Sequence, residues 1–263
     1  MTDPTFIGFG EAAMAFARSG ARGYDRLLDD PANRDAKLAD FAASGVRACS
    51  TLAEALAGTE VALSLVWPKE VVDAARAAAE HLRRGTLYLD MNSAAPDTKR
   101  SAAGAIEAAG SRYVDVAVMA PVLPARRAAP LLVAGPHAAT GAQALAHFGF
   151  EHVAIAPGGI GAASAVKMIR SVMVKGIEAL TAEMMLAAQV AGVEDAVLGS
   201  LAGEWRDRAT YNLERMATHG RRRADEMLEA ARTLEALGVE PVMTRGTIVR
   251  QREAAERAHG AAA

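Results

Sequence analysis

The chain has 263 residues, 51% apolar and 23% charged, with 29 basic and 31 acidic side chains and a formal net charge of −2. That composition excludes disorder for most of the chain, and the length allows one large domain or two modest ones, each able to bury a sizeable core. It also excludes the concentrated basic field that a nucleic acid or an anionic membrane would need, since the one dense basic run, Arg221-Arg222-Arg223, sits beside Asp225 and Glu226. Alanine fills 62 positions while aromatics make up only 5%, so a helix-rich core packed by small side chains is expected. The single cysteine, Cys49, allows neither an internal disulfide nor a cysteine metal cluster, which makes a reducing compartment the default. The first residues carry no basic segment ahead of an apolar run, and no stretch approaches the roughly 18 apolar residues of a membrane span. A soluble cytoplasmic protein is the expectation.

In chain order, short β-like runs alternate with amphipathic helical stretches over the first 156 residues. Strands are expected at 5–8, 22–25, 46–49, 61–66, 87–90, 113–119, 131–134 and 152–156. Helices are expected at 11–19, 32–43, 52–57, 69–82, 96–109 and 137–148, with Ser50 before one and Pro96 opening another. Such spacing implies βαβ units and a mostly parallel, doubly wound sheet of the Rossmann type. At Pro157-Gly158-Gly159 the pattern changes, and a long helical signal runs over about 160–191. The rest reads as all-helical, with breaks near Gly192, Thr210-Tyr211, His219-Gly220 and 238–241. Two domains are expected, 1–157 and 158–263, with an active site between them and a frayed alanine-rich end after His259.

The first strand leads into Gly8-Phe9-Gly10-Glu11-Ala12-Ala13 and then a helix. This is the G-x-G-x-x-G/A dinucleotide fingerprint in its required context. Gly8 makes the tight turn, Gly10 lets the backbone approach a pyrophosphate, and Ala13 lets helix pack on strand. The helix start supplies N–H groups and a positive dipole end to the phosphates. At the end of the second strand Asp25 is placed to bond ribose hydroxyls, which favours NAD; Arg26 beside it leaves NADP open. Only 17 residues separate Gly8 from Asp25, so the first helix must be brief.

Four further stretches resemble the β-hydroxyacid dehydrogenase family, the relatives of 6-phosphogluconate dehydrogenase and of the imine reductases, over nearly the whole chain. Leu63-Ser64-Leu65-Val66-Trp67-Pro68 is similar to the family's loop past the nicotinamide ribose. Asp90-Met91-Asn92-Ser93 resembles its D-x-S-T segment at nicotinamide and substrate. Asp115-Val116-Ala117-Val118-Met119-Ala120-Pro121 lies where the family has D-A-P-V-S-G-G, and Gly161 to Lys167 resembles the start of the interdomain helix with its catalytic lysine. The resemblance implies cofactor contacts from Leu65, Val66 and Asn92, and substrate contacts from Ser93, Met119, Ala120 and Pro121. It also implies a homodimer through the C-terminal helices.

Lys167 stands out on its own terms as well, as one of only five lysines against 24 arginines, on an otherwise apolar helix. Helical spacing puts Ser164, Lys167 and Ser171 on one face, a polar stripe expected to look into the interdomain cleft with Ser164 toward the substrate. The expected chemistry is a hydride transfer between nicotinamide and a hydroxy (CH–OH) substrate, with Lys167 as general acid and base and Ser171 as a nearby donor. Departures bear on the substrate: Met119-Ala120-Pro121 replaces the residues that grip a carboxylate, and Pro121 has no N–H. Ser171 stands where the family usually has asparagine. A bulkier or less polar substrate follows. His219 and Arg222 are candidates to close the cleft on an anionic substrate, against a solvated basic turn. The histidines show no metal-ligand spacing, so no metal is expected. The alternatives are an imine or carbonyl reductase on the same scaffold, and a dinucleotide sensor without turnover.

Overall fold

The computed structural model describes residues 3–201 and 203–260. The chain divides into two units, Met1–Lys167 and Met168–Ala263. In the first, eight strands form one sheet: β1 (Thr5–Ile7), β2 (Arg22–Tyr24), β3 (Arg47–Ala48), β4 (Val61–Ser64), β5 (Leu87–Asp90), β6 (Arg112–Val118), β7 (Leu131–Ala134) and β8 (Val153–Ile155). Between them run α1 (Glu11–Phe16), α2 (Pro31–Ala43), α3 (Leu52–Leu56), α4 (Val71–Ala79), α5 (Pro96–Ala108) and α6 (Ala138–His147). The strand order is β3-β2-β1-β4-β5-β6-β7-β8, so the chain winds outward from β1 in both directions. Strands β1, β4 and β5 are buried at every position, as centre strands covered on both faces must be.

The pairs are parallel except β6 with β7. The link between those two holds only a short 3-10 turn, Arg126–Ala128, and without a crossover helix the chain returns antiparallel. Helix starts follow local chemistry. Asp30 accepts the Ala32 N–H at 3.0 Å ahead of Pro31, and Pro96 opens α5. For α3 the cap is Thr51, one residue past the expected Ser50; its hydroxyl accepts the Glu54 N–H at 3.1 Å. Helix α1 has six residues, as the short spacing to Asp25 requires. The helix expected over 69–82 is divided into a 3-10 turn, Pro68–Glu70, and α4.

Helix α7 (Ala162–Ala191) starts in the first unit and continues into the second, where α8 (Glu194–Ser200), α9 (Trp205–Ala236) and α10 (Val242–Gly260) follow. Two expected breaks, at Thr210-Tyr211 and His219-Gly220, are absent, because α9 runs through both. The glycine there answers to packing: a Cβ on Gly220 would lie 2.3 Å from the Gln251 carbonyl oxygen. Gly220 lets α10 cross against α9 at backbone contact. The apolar core of this unit includes Met168, Ala224, Met227, Ala230 and Ile248. Beside it lies a buried polar set, in which Arg223 Nε donates to Glu178 at 2.9 Å and Gln251 Nε2 donates to the same carboxylate at 2.9 Å. The alanine-rich end at 261–263 lies outside the described residues. Among the described residues no helix is long and apolar enough to cross a membrane.

Candidate active site

The sheet register sets out the site. Tyr24, Ile7, Ser64, Asp90 and Asp115 are successive Cα partners across β2, β1, β4, β5 and β6. They form a row along the carboxyl edge of the sheet, and the loops that follow them carry Asp25, the Gly8–Gly10 turn, Leu65-Val66 and Asn92-Ser93. The winding reverses between β1 and β4, which is where doubly wound sheets open a ligand crevice.

The glycine turn is held from several sides. Gly8 sits at φ +81°, and a Cβ there would lie 2.5 Å from the Leu65 carbonyl oxygen. Phe9 packs its ring on Phe41 at 3.9 Å between centroids and donates its N–H to Asp25 Oδ2 at 2.7 Å. Its carbonyl accepts from buried Lys37 Nζ at 2.8 Å, and Lys37 also meets Asp40 at 2.7 Å. Phe9 is therefore an anchor in the core. Gly10 is exposed, and a Cβ on it would meet nothing within 4 Å, so the turn presents bare backbone to open space at the start of α1. Glu11 and Ala12 follow it, both half-buried, with Ala13 fully buried beneath. Open backbone at a helix start, with a carboxylate at the next strand end, fits a dinucleotide's pyrophosphate and ribose.

Asp25 accepts from Phe9 N and, through Oδ1, from Leu27 N at 2.9 Å. Arg26 is not swung free. Its Nη2 lies 2.6 Å from Glu70 Oε1. Tyr24 donates its hydroxyl to Asp29; burial first, and then this hydrogen bond and Asp29's charge, push its pKa well above the usual phenol value.

At the other end of the row, Lys167 Nζ donates to Ser93 Oγ at 2.5 Å. The fold thus brings together two residues 74 positions apart. Asn92 is buried and its amide is spent internally: Oδ1 accepts Val66 N–H at 2.6 Å, and Nδ2 donates to Asp90 Oδ1 at 2.6 Å and Ser64 Oγ at 3.0 Å. It ties the Leu65-Val66 loop to the end of β5. Ser164 is buried too, with Oγ 2.6 Å from Asp115 Oδ1. Met119 and Ala120 are half-buried and Pro121 exposed; the Met119 N–H goes to the Pro130 carbonyl at 2.8 Å. Ser171 and His219 belong to the second unit. Ser171 is buried, with Oγ 3.3 Å from Lys175 Nζ, and His219 is half-buried within α9, while Arg222 Nε lies 3.9 Å from Glu226.

Lysine scarcity had a wider meaning than the marking of Lys167. Lys37, Lys99 and Lys175 are buried and only Lys69 is exposed. Beneath the row lies a charged group that the sequence did not single out. Lys99 Nζ donates to the Asp90 carbonyl at 2.7 Å and to Asp90 Oδ1 at 2.8 Å, and lies 3.5 Å from Asp115 Oδ1. Tyr113 donates its hydroxyl to Asp90 Oδ2 at 2.5 Å; burial first, then the charge of Asp90, holds that hydroxyl protonated far above its usual range.

Comparison with known proteins agrees with this architecture. Residues 5–154 match the family model described as the NAD binding domain of 6-phosphogluconate dehydrogenase, and residues 188–254 match a domain of unknown function, DUF1932. A conserved hypothetical protein from Sinorhizobium meliloti 1021 is 39% identical, with 97% of this chain and 89% of that one covered and a TM-score of 0.73. The conserved protein MTH1747 of unknown function, described as structurally similar to 3-hydroxyacid dehydrogenases, is 29% identical, with 98% of both chains covered and a TM-score of 0.70. The Mycobacterium tuberculosis 3-hydroxyisobutyrate dehydrogenase, solved with L-serine, shares the fold at 19% identity, with coverage of 98% and 95% and a TM-score of 0.74.

Proposed function

This chain belongs to the family defined by the NAD binding domain of 6-phosphogluconate dehydrogenase, and from that premise we propose that it is a nicotinamide-dependent oxidoreductase of hydroxy compounds, with Lys167 as general acid and base. The observation that carries the reading is the 2.5 Å contact from Lys167 Nζ to Ser93 Oγ, at the carboxyl edge that also holds the glycine turn. When bound, the nicotinamide takes or gives the hydride. Neutral Lys167 takes the hydroxyl proton of an alcohol, and protonated Lys167 returns it to a carbonyl oxygen. Ser93 orients Nζ and offers a second hydrogen bond to the same substrate oxygen.

The cofactor reading favours NAD. Asp25 keeps lone pairs for a ribose diol, its charge repels a 2′-phosphate, and the guanidinium of Arg26, which could welcome such a phosphate, lies 2.6 Å from Glu70 Oε1. The substrate reading favours a hydroxy compound less dependent on a carboxylate grip, because the Met119 N–H is spent on Pro130 and Pro121 has none to give. Exposed Ile169, Met173 and Leu180 on α7, the last two at 69% and 56% exposure, support a homodimer through the C-terminal helices, which sedimentation would test.

The deciding experiment pairs a turnover screen over 3-hydroxyacids, aryl-substituted alcohols and amines with dinucleotide titrations followed by nicotinamide fluorescence. Lys167→Ala is expected to cut turnover about 10²-fold or more while cofactor affinity stays nearly unchanged. Unaltered turnover in that variant removes Lys167 from the chemistry. NADPH binding as tight as NADH removes the NAD preference.

A further inference from the structure

Lys99, Asp90 and Asp115 are each fully buried, and the proposed chemistry uses none of them. Burying one cation with two carboxylates is an expensive way to fill a core, since apolar residues of similar volume usually serve stability as well or better. A satisfied polar network does provide a unique geometry, because each donor has one place to go. Each carboxylate here holds a different chain segment. Asp90 Oδ1 accepts both the Asn92 N–H at 3.0 Å and the Asn92 side-chain amide at 2.6 Å, which fixes the turn that carries Ser93. Asp115 Oδ2 accepts the N–H groups of Gly161 and Ser164, each at 3.1 Å, while Oδ1 accepts the Ser164 hydroxyl at 2.6 Å. Those bonds fix the first turn of α7, which carries Lys167 one turn on. Lys99 faces both carboxylates, at 2.8 Å and 3.5 Å.

We propose that Lys99 is a positioning residue: a single buried cation, shared by Asp90 and Asp115, sets the Ser93 turn and the Lys167 helix start in mutual register. The proposal rests on the functional reading for its catalytic consequence only. Without the ammonium, two carboxylates face each other at neighbouring positions of β5 and β6 with no counter-charge between them, and both segments lose their common anchor. The glycine turn is held separately, by Asp25 and Lys37, and is left in place.

The test is hydrogen–deuterium exchange on the full-length Lys99→Met variant. Peptides covering 91–95 and 160–166 are expected to exchange about tenfold faster or more than in the unaltered protein, with 8–14 unchanged as reference. Turnover is expected to fall about 10²-fold through misplacement of the proton-transfer pair, with dinucleotide affinity and the KM for dinucleotide held. Protection retained in either segment overturns the proposal, and so does an equal rise in the 8–14 reference, which marks general loosening. Should Lys99→Met fail to fold, Asp115→Asn carries the test. It is expected to loosen 160–166 while 91–95, still held through Lys99 and Asp90, stays protected; unchanged 160–166 overturns the proposal. Full turnover in Lys167→Ala sinks the functional reading and leaves the exchange result standing, whereas unmoved exchange sinks this proposal and leaves that reading intact.

Discussion

Gly8 in the first unit and Gly220 in the second are both glycines that a side chain cannot replace, yet for different physical reasons. Gly8 needs a backbone conformation, φ +81°, that L side chains resist, and its missing Cβ also admits the Leu65 carbonyl. Gly220 sits within α9 and is needed because α10 comes so near, with the Gln251 carbonyl and Ala255 in the space a Cβ would take. The first kind of glycine punctuates a chain and is seen in the sequence beside the strand and helix it joins. The second makes room for a partner more than 30 residues away, and nothing local distinguishes it from a helix stop.

Substitution at the two positions should separate these roles. Gly8→Ala meets both penalties, and a loss of about 3 kcal/mol or more is expected in urea unfolding, together with loss of dinucleotide binding. A variant as stable as the parent would mean that the turn can rebuild itself. Gly220→Ala gains helix propensity of about 1 kcal/mol but overpacks the crossing of α9 and α10, for an expected net loss of roughly 1–3 kcal/mol. A stabilised variant would show that α10 moves aside freely. Gly10→Ala sharpens the contrast within the turn itself, since its Cβ would meet no protein atom. Stability is expected to change by about 1 kcal/mol or less, while NADH affinity falls about tenfold or more because the added methyl stands where the pyrophosphate approaches. Undiminished affinity would move the phosphates away from Gly10.

The β/α array was readable because each strand and helix announces itself through local periodicity and punctuation. Asp25, Gly8 and Gly10 were readable because the motif is confined to 18 residues. The group around Lys99 was not. Its members, Ser64, Asp90, Asn92, Tyr113, Asp115, Gly161 and Ser164, meet only after the sheet has set β4, β5 and β6 side by side. Asp90 and Asp115 stood in recognisable segments, but their shared lysine lies on α5 with no motif around it. One signal was available: arginine outnumbers lysine 24 to five, so surface charge is arginine's task and any lysine is a candidate for the interior. Asn92 and Ser164 show the opposite limit. The resemblance implied a cofactor contact from Asn92 and the helix face set Ser164 beside Lys167 toward substrate, and the fold engages both in internal bonds.

Acid offers the mildest test of how far local chemistry reaches, through Glu54 in the first turn of α3. Its carboxylate accepts from Ser50 N and Ser50 Oγ, both at 2.8 Å, and from Arg47 Nη1 at 2.7 Å. The backbone bond from Ser50, then the Ser50 hydroxyl, then Arg47, lower its pKa to about 2 from the ordinary value of 4.5. Because the folded value lies below the unfolded one, the stabilising contribution is complete above about pH 4.5 and is lost as pH falls toward 2. The group is exposed, so salt should shrink the effect as well. Melting of Glu54→Gln and the parent is therefore expected to differ by a small, constant amount at neutral pH and to converge between pH 4.5 and 2. A difference as large at pH 2 as at pH 7 would assign the loss to packing and leave the carboxylate's charge without a role in holding α3.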